Sequence, residues 1–204
     1  MIRIGILGGI GSGKSFVAKN FGYPVFNADL EVSKLYKKDK KVFIQLKKKL
    51  SKYIYTFPVK KSEITKAILA NKSNLNKIVK IVHLEVRKKM NIFLRKNKNK
   101  KIVILDIPLL LENKINNKKD ILVFVESKNS DILTRLKKRD NFNKKLFSKF
   151  RNIQFSLSYK KKKSNFVIKN DFTKKTISRA IKNILKEIKN ERDNTRYRNN
   201  RPIY

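Results

Sequence analysis

Residues 8–15 read Gly-Gly-Ile-Gly-Ser-Gly-Lys-Ser, and this octapeptide constrains the fold more than any other stretch of the chain. It falls between a short β-rich apolar run, Ile2 to Leu7, and a helical pattern that opens Phe16-Val17-Ala18. Gly-x4-Gly-Lys-Ser between strand and helix is the phosphate-loop pattern. Its glycines let backbone N–H groups converge on phosphate oxygens, the helix start adds its positive dipole end, and Lys14 reaches the β and γ phosphates. Ser15 offers a hydroxyl to Mg2+. A plain strand-to-helix turn would not require Lys followed by Ser. A dinucleotide loop fails on spacing, because Lys14 stands three residues after Gly11 where a glycine is needed. The sequence therefore predicts binding of a nucleoside triphosphate.

Four more apolar runs follow: Tyr23 to Phe26, Lys101 to Leu105, Ile121 to Val125 and Phe166 to Ile168. Continuous apolar runs separated by helical patterns predict an α/β chain with a five-stranded parallel sheet covered on both faces, the three-layer fold of P-loop NTPases. At 204 residues the chain is expected to be a single P-loop domain. Its core is expected at about residues 1–29, 100–134 and 164–190. A helical insertion is predicted over about 30–99, from apolar spacing at Val42, Leu46 and Leu50 and from Ile64 to Met90. A basic helical lid is predicted over about 135–163, and residues 190–204 read as a polar, aperiodic, frayed tail.

Acidic residues are few, 15 against 53 Lys plus Arg, so carboxylates at strand ends stand out. Asp29 follows the second run and Asp106 the third, at the edge where open parallel sheets bind ligands. Asp29 is the candidate base that takes a proton from an attacking hydroxyl; the alternative is a cap on a helix starting at Leu30. Asp106 is the candidate for organising Mg2+, again with strand-end capping as the alternative. Arg135 and Arg139, four apart, are expected on one helical face from which they could swing over ATP. His83 lies in the helical insertion, where pattern alone gives it no role.

The net charge of +38 invites a nucleic-acid reading, but its make-up points elsewhere. Lys outnumbers Arg 42 to 11, and 22 Asn and 24 Ile accompany it, all residues of A/T-rich codons. Bidentate phosphate or base contacts favour Arg. Lysine spread over every segment reads as compositional drift, with non-specific polyanion binding at low salt as its by-product. No cysteine and a single histidine exclude a zinc site built from those ligands. With no signal-like N-terminus and no apolar run near 20 residues, a soluble cytoplasmic protein is expected, without a membrane or specific nucleic-acid partner. A monomer or weak homo-oligomer is expected.

The chain resembles the dephospho-coenzyme A kinase family. The residues that carry the resemblance are the loop at 8–15, Ala28-Asp29, His83, Asp106-Ile107-Pro108-Leu109-Leu110-Leu111-Glu112, Arg135, Arg139-Asp140, Arg151, Gln154 and Asn170. The proline-leucine-leucine segment ending in Glu112 discriminates this family from other small-molecule kinases. The resemblance implies ATP-dependent phosphorylation of the 3′-hydroxyl of dephospho-coenzyme A, with Asp29, Lys14 and Arg139 catalytic. It implies ATP contacts at Gly9, Gly11, Ser12, Gly13, Lys14, Ser15, Phe16, Arg135, Arg139 and Asn170. It implies substrate contacts at Asp29, Lys61, His83, Pro108, Leu109 and Glu112, the helical insertion receiving the acceptor and the basic insertion closing over ATP. Asn27, Phe16, Lys61, Leu84 and Asp171 depart from the family pattern. Two other readings stay open on the sequence: another nucleoside or nucleotide kinase of this fold, and an NTP-driven nucleic-acid-binding protein.

Overall fold

A computed structural model describes the backbone of residues 1–138 and 142–199, with side chains as far as residue 190. The five apolar runs form β1 (Ile2–Gly8), β2 (Val25–Asn27), β3 (Ile102–Asp106), β4 (Ile121–Glu126) and β5 (Phe166–Lys169). They pair in the order β2-β3-β1-β4-β5, and every pairing is parallel, as the sequence predicts. β1 is central, so the loop that leaves it opens at the middle of the sheet's carboxyl edge.

Alternation along the strands makes two cores. Ile4 and Ile6 of β1, Ile104, Val123, Val125 and Ile168 face α1 (Lys14–Asn20) and α9 (Lys174–Asn199). α9 meets them with Ile177, Ile181, Ile184 and Ile188, one stripe at helical spacing. On the other face Leu7, Phe26, Leu105, Leu122 and Phe124 join residues of the helical insertion. That insertion comprises α2 (Ala28–Lys38), α3 (Lys40–Lys49), α4 (Lys61–Ala70) and α5 (Lys72–Lys96). Val42, Leu46, Leu50, Ile64, Ile68, Leu75, Ile78, Val82, Val86 and Met90, the positions that predicted helices, are all buried. Side-chain caps begin three of these helices: Asn27 accepts from Leu30 N–H, Asp39 from Val42 N–H and Asn71 from Asn74 N–H.

α6 (Asn129–Lys137), α7 (Lys144–Asn152) and α8 (Leu157–Lys162) follow β4. Arg135 lies in the last turn of α6, and Arg139, expected on the same helical face, lies outside the described residues. The expected aperiodic tail is also corrected. α9 continues helical to Asn199, since no Gly or Pro interrupts residues 190–199 and the next proline is Pro202. Residues 200–204 lie outside the described residues.

Candidate active site

The phosphate loop is fixed from behind by its central carbonyl. The backbone oxygen of Ser12 accepts from Ser127 Oγ at 2.9 Å and from Asn170 Nδ2 at 2.8 Å. One donor follows β4 and the other follows β5, so two strand ends hold the loop. Gly13 stands at φ 85 immediately before α1, and a Cβ there would meet Asn170 Nδ2 at 2.3 Å. Glycine is therefore required both by the backbone and by the packing. Lys14 Nζ donates to the carbonyls of Gly8 (3.2 Å) and Gly9 (2.7 Å), which curls the ammonium back over the loop.

At the carboxyl edge, register sets Asn27 of β2 opposite Asp106 of β3. Asp106, 3 % exposed, accepts at Oδ2 from Ser15 Oγ at 2.5 Å and from Asn27 Nδ2 at 2.5 Å. Asn27 also caps α2, so helix α2 begins at Ala28 and Asp29 is the second residue of its first turn. The capping role that competed for Asp29 thus belongs to Asn27. Asp29 is exposed and lines the main cavity.

That cavity, roughly 710 Å³, runs from the loop into the helical insertion. Its polar end carries Gly11, Gly13, Lys14, Ser15, Phe16, Asp29, Lys61, His83, Asp106, Pro108, Leu109 and Arg135. Its far end is apolar, walled by Ile64, Ile68, Leu75, Ile78, Val82 and Val86 with the phenol of Tyr36 among them. Burial pushes the Tyr36 hydroxyl above its usual range, so it stays a neutral donor. Burial, with the Arg87 guanidinium beside it, holds His83 below its usual value of 6.5 and favours the uncharged imidazole.

Glu112, expected at the substrate, is not among the residues that line this cavity. Its carboxylate pairs with Lys160 Nζ at 2.8 Å and accepts from Phe155 N–H at 2.9 Å, which ties the segment between α7 and α8 to the turn after β3. Asn170 Oδ1 accepts from Phe172 N–H at 2.8 Å and holds that residue at φ 64, a conformation glycine would adopt without strain. Arg135 lies over the Phe172 ring, 4.2 Å from its centre. Nothing in the sequence singles out Phe172 or Lys160. Lys160 is one of four consecutive lysines, and only the phase of α8 buries it.

A central parallel strand feeding a phosphate loop, Asp106 at the end of the neighbouring strand β3, Asp29 in the first turn after β2 and a cavity continuing into a helical insertion define a P-loop kinase. The sequence matches the profile described as CoaE: Dephospho-CoA kinase over residues 2–176. A dephospho-CoA kinase of Wolbachia pipientis wMel is 33% identical over 187 residues, covering 89% of this chain and 95% of that one. One of Bacillus cereus is 30% identical over 195 residues, covering 91% and 96%. The crystal structure of TT1252 from Thermus thermophilus superposes with a TM-score of 0.73 at 24% identity, over 91% of this chain and 97% of that one. Dephospho-CoA kinase from Campylobacter jejuni has the same fold, with a TM-score of 0.58 at 19% identity, over 91% and 96%. The chain belongs to the dephospho-CoA kinase family.

Among the described residues no helix is long and apolar enough to cross a membrane. None of their His, Asp and Glu residues gather in threes to hold a metal.

Proposed function

We propose that the chain transfers the γ-phosphoryl group of ATP to the 3′-hydroxyl of dephospho-coenzyme A, giving coenzyme A and ADP in the last step of coenzyme A biosynthesis. The observation that carries this reading is that one cavity holds the phosphate-loop residues Lys14 and Ser15, the carboxylate Asp29 and a long apolar extension. An acceptor with phosphates near its reacting ribose and a long neutral arm matches both ends. Family membership supports the same choice.

In this reading Asp29 accepts the proton of the 3′-hydroxyl as its oxygen attacks the γ-phosphorus and the bond to the β-γ bridging oxygen breaks. Lys14 neutralises charge on the β and γ phosphates, and Lys61, at the mouth of the acceptor chamber, faces the acceptor's phosphates as a point charge. His83 offers a neutral hydrogen-bonding group to the acceptor. Arg135 and Phe172 border the nucleotide side. Ser15 Oγ and Asp106 Oδ2, two hard oxygen donors in contact, fit Mg2+, which takes few protein ligands and completes its shell with phosphate oxygens and water. Bound there, the ion would neutralise phosphate charge. The cytoplasm is the proposed location.

The test is an ADP-release assay with Mg-ATP and dephospho-coenzyme A, run beside adenosine, AMP and RNA. ADP with dephospho-coenzyme A as acceptor and coenzyme A as product is the expected result, and Asp29→Asn should cut turnover about 10²- to 10⁴-fold with ATP binding retained. ADP release driven by RNA, or by a small acceptor while dephospho-coenzyme A is inert, would overturn the reading.

A further inference from the structure

The basic insertion carries an apolar stripe on one side of α7. Leu146, Phe150 and Ile153 recur at i, i+4 and i+7, the spacing of one helix side, along α7 and its C-terminal cap. No residue of α7 is fully buried, yet Leu146 and Phe150 pack against the core cluster that contains Ile64, Ile68 and Ile78. All three stripe residues line the main cavity, together with α4 and α5. Lys149, on the same helix, donates to the carbonyls of Ile68 at 2.9 Å and Leu69 at 3.1 Å. These are terminal carbonyls of α4, where a cation satisfies orphan acceptors and meets the negative end of the helix dipole.

α7 is therefore docked on the acceptor-binding helices. The cavity beneath it is apolar but not bare of polar groups: Tyr36, Thr65 and Gln154 also line it. Two hydroxyls and one amide in an apolar chamber suit a neutral chain bearing amides, and they would leave a charged group unpaired.

We propose that α7 roofs the acceptor chamber and that Leu146 and Phe150 set acceptor specificity by closing on the neutral pantetheine arm. This rests on the dephospho-coenzyme A reading above and assigns to part of the ATP lid a second contact, with the other substrate. Burial of an arm remote from the reacting hydroxyl supplies binding free energy that only the arm-bearing acceptor can use.

The experiment compares kcat/KM for dephospho-coenzyme A and for AMP, which carries ribose without the arm, using γ-labelled ATP to detect slow turnover. Leu146→Ala/Phe150→Ala should lower kcat/KM for dephospho-coenzyme A about 10- to 100-fold. The value for AMP and the KM for ATP should stay within about twofold, and Phe150→Leu should retain most of the discrimination. Melting curves matching the wild type show that the variants fold. Equal losses with both acceptors, no loss with either, or a rise confined to the KM for ATP would overturn the roof. A wild type that leaves dephospho-coenzyme A unphosphorylated would overturn the functional reading and the roof with it.

Discussion

Lys160 and Glu112 meet at 2.8 Å with side chains only 1 % and 9 % exposed, joining a short helix of the basic insertion to the turn that follows β3. Gln154 Oε1 lies 3.3 Å from the same ammonium, and Phe155 N–H donates to the same carboxylate. Glu112 Oε2 has no hydrogen-bond partner, so the lysine is the main compensation for a buried charge.

Removing one member should cost more than removing both. Lys160→Met is expected to destabilise by about 3 to 5 kcal/mol, while Lys160→Met/Glu112→Leu recovers a large part of that. Chemical denaturation measures the cycle. Amide exchange over residues 142–163 shows whether the loss falls on the insertion, and exchange unchanged there would contradict the docking role.

Asn27 serves two partners at once, Leu30 N–H through Oδ1 and Asp106 through Nδ2. Asn27→Ala removes a helix cap worth about 1 kcal/mol and a bond to a carboxylate worth about 1.5 to 3 kcal/mol. Asn27→Asp keeps the cap but sets a second carboxylate against Asp106. Both variants should melt below the wild type, and Asn27→Asp should recover as Mg2+ is added, whereas Asn27→Ala should not. Identical Mg2+ responses would remove Asp106 from the ion's surroundings.

Asp171 accepts from Thr176 Oγ1, Thr173 N–H and Thr173 Oγ1, and these bonds hold its carboxyl below the usual 3.8. A depressed acid binds fewer protons folded than unfolded near that value. Its stabilisation is thus fully present above pH 3.8 and is lost as pH falls through the folded value. Asp171→Asn should lower stability at neutral pH and converge on the wild type as pH falls below about 4, which flattens the acid limb. Parallel acid limbs for the two proteins would refute the assignment.

A net charge of +38 makes self-repulsion the dominant long-range field. Raising ionic strength toward 0.15 M, where the Debye length is about 8 Å, should raise Tm. A flat or falling Tm across added salt would show that the lysines are spaced widely enough not to matter.

What the sequence made legible was local. The phosphate loop is contiguous, the strands are unbroken apolar runs, and the insertion helices repeat their apolar residues at one period, so each could be read within a window. What it hid depends on distant partners. The ion pair of Glu112 was hidden because its partner, Lys160, is chemically identical to its three neighbours in a run, and only tertiary packing selects it. Asp29 looked like a possible cap because the sequence does not show that Asn27, two residues earlier, folds back first. Phe172 carries no signal at all, since its backbone conformation is imposed by Asn170 and its ring is met by an arginine far away in the chain.

The main cavity and the larger hydrophobic core share their walls: Ile64, Ile68, Leu75, Ile78, Val82 and Val86 belong to both. On the opposite face Ile177, Ile181, Ile184 and Ile188 serve packing alone. Exchange among branched aliphatics along α9 is therefore a matter for folding only. The same exchange along α4 and α5 also reshapes the cavity that opens at the phosphate loop, so one side of the sheet answers to packing alone and the other to packing and to the volume it encloses.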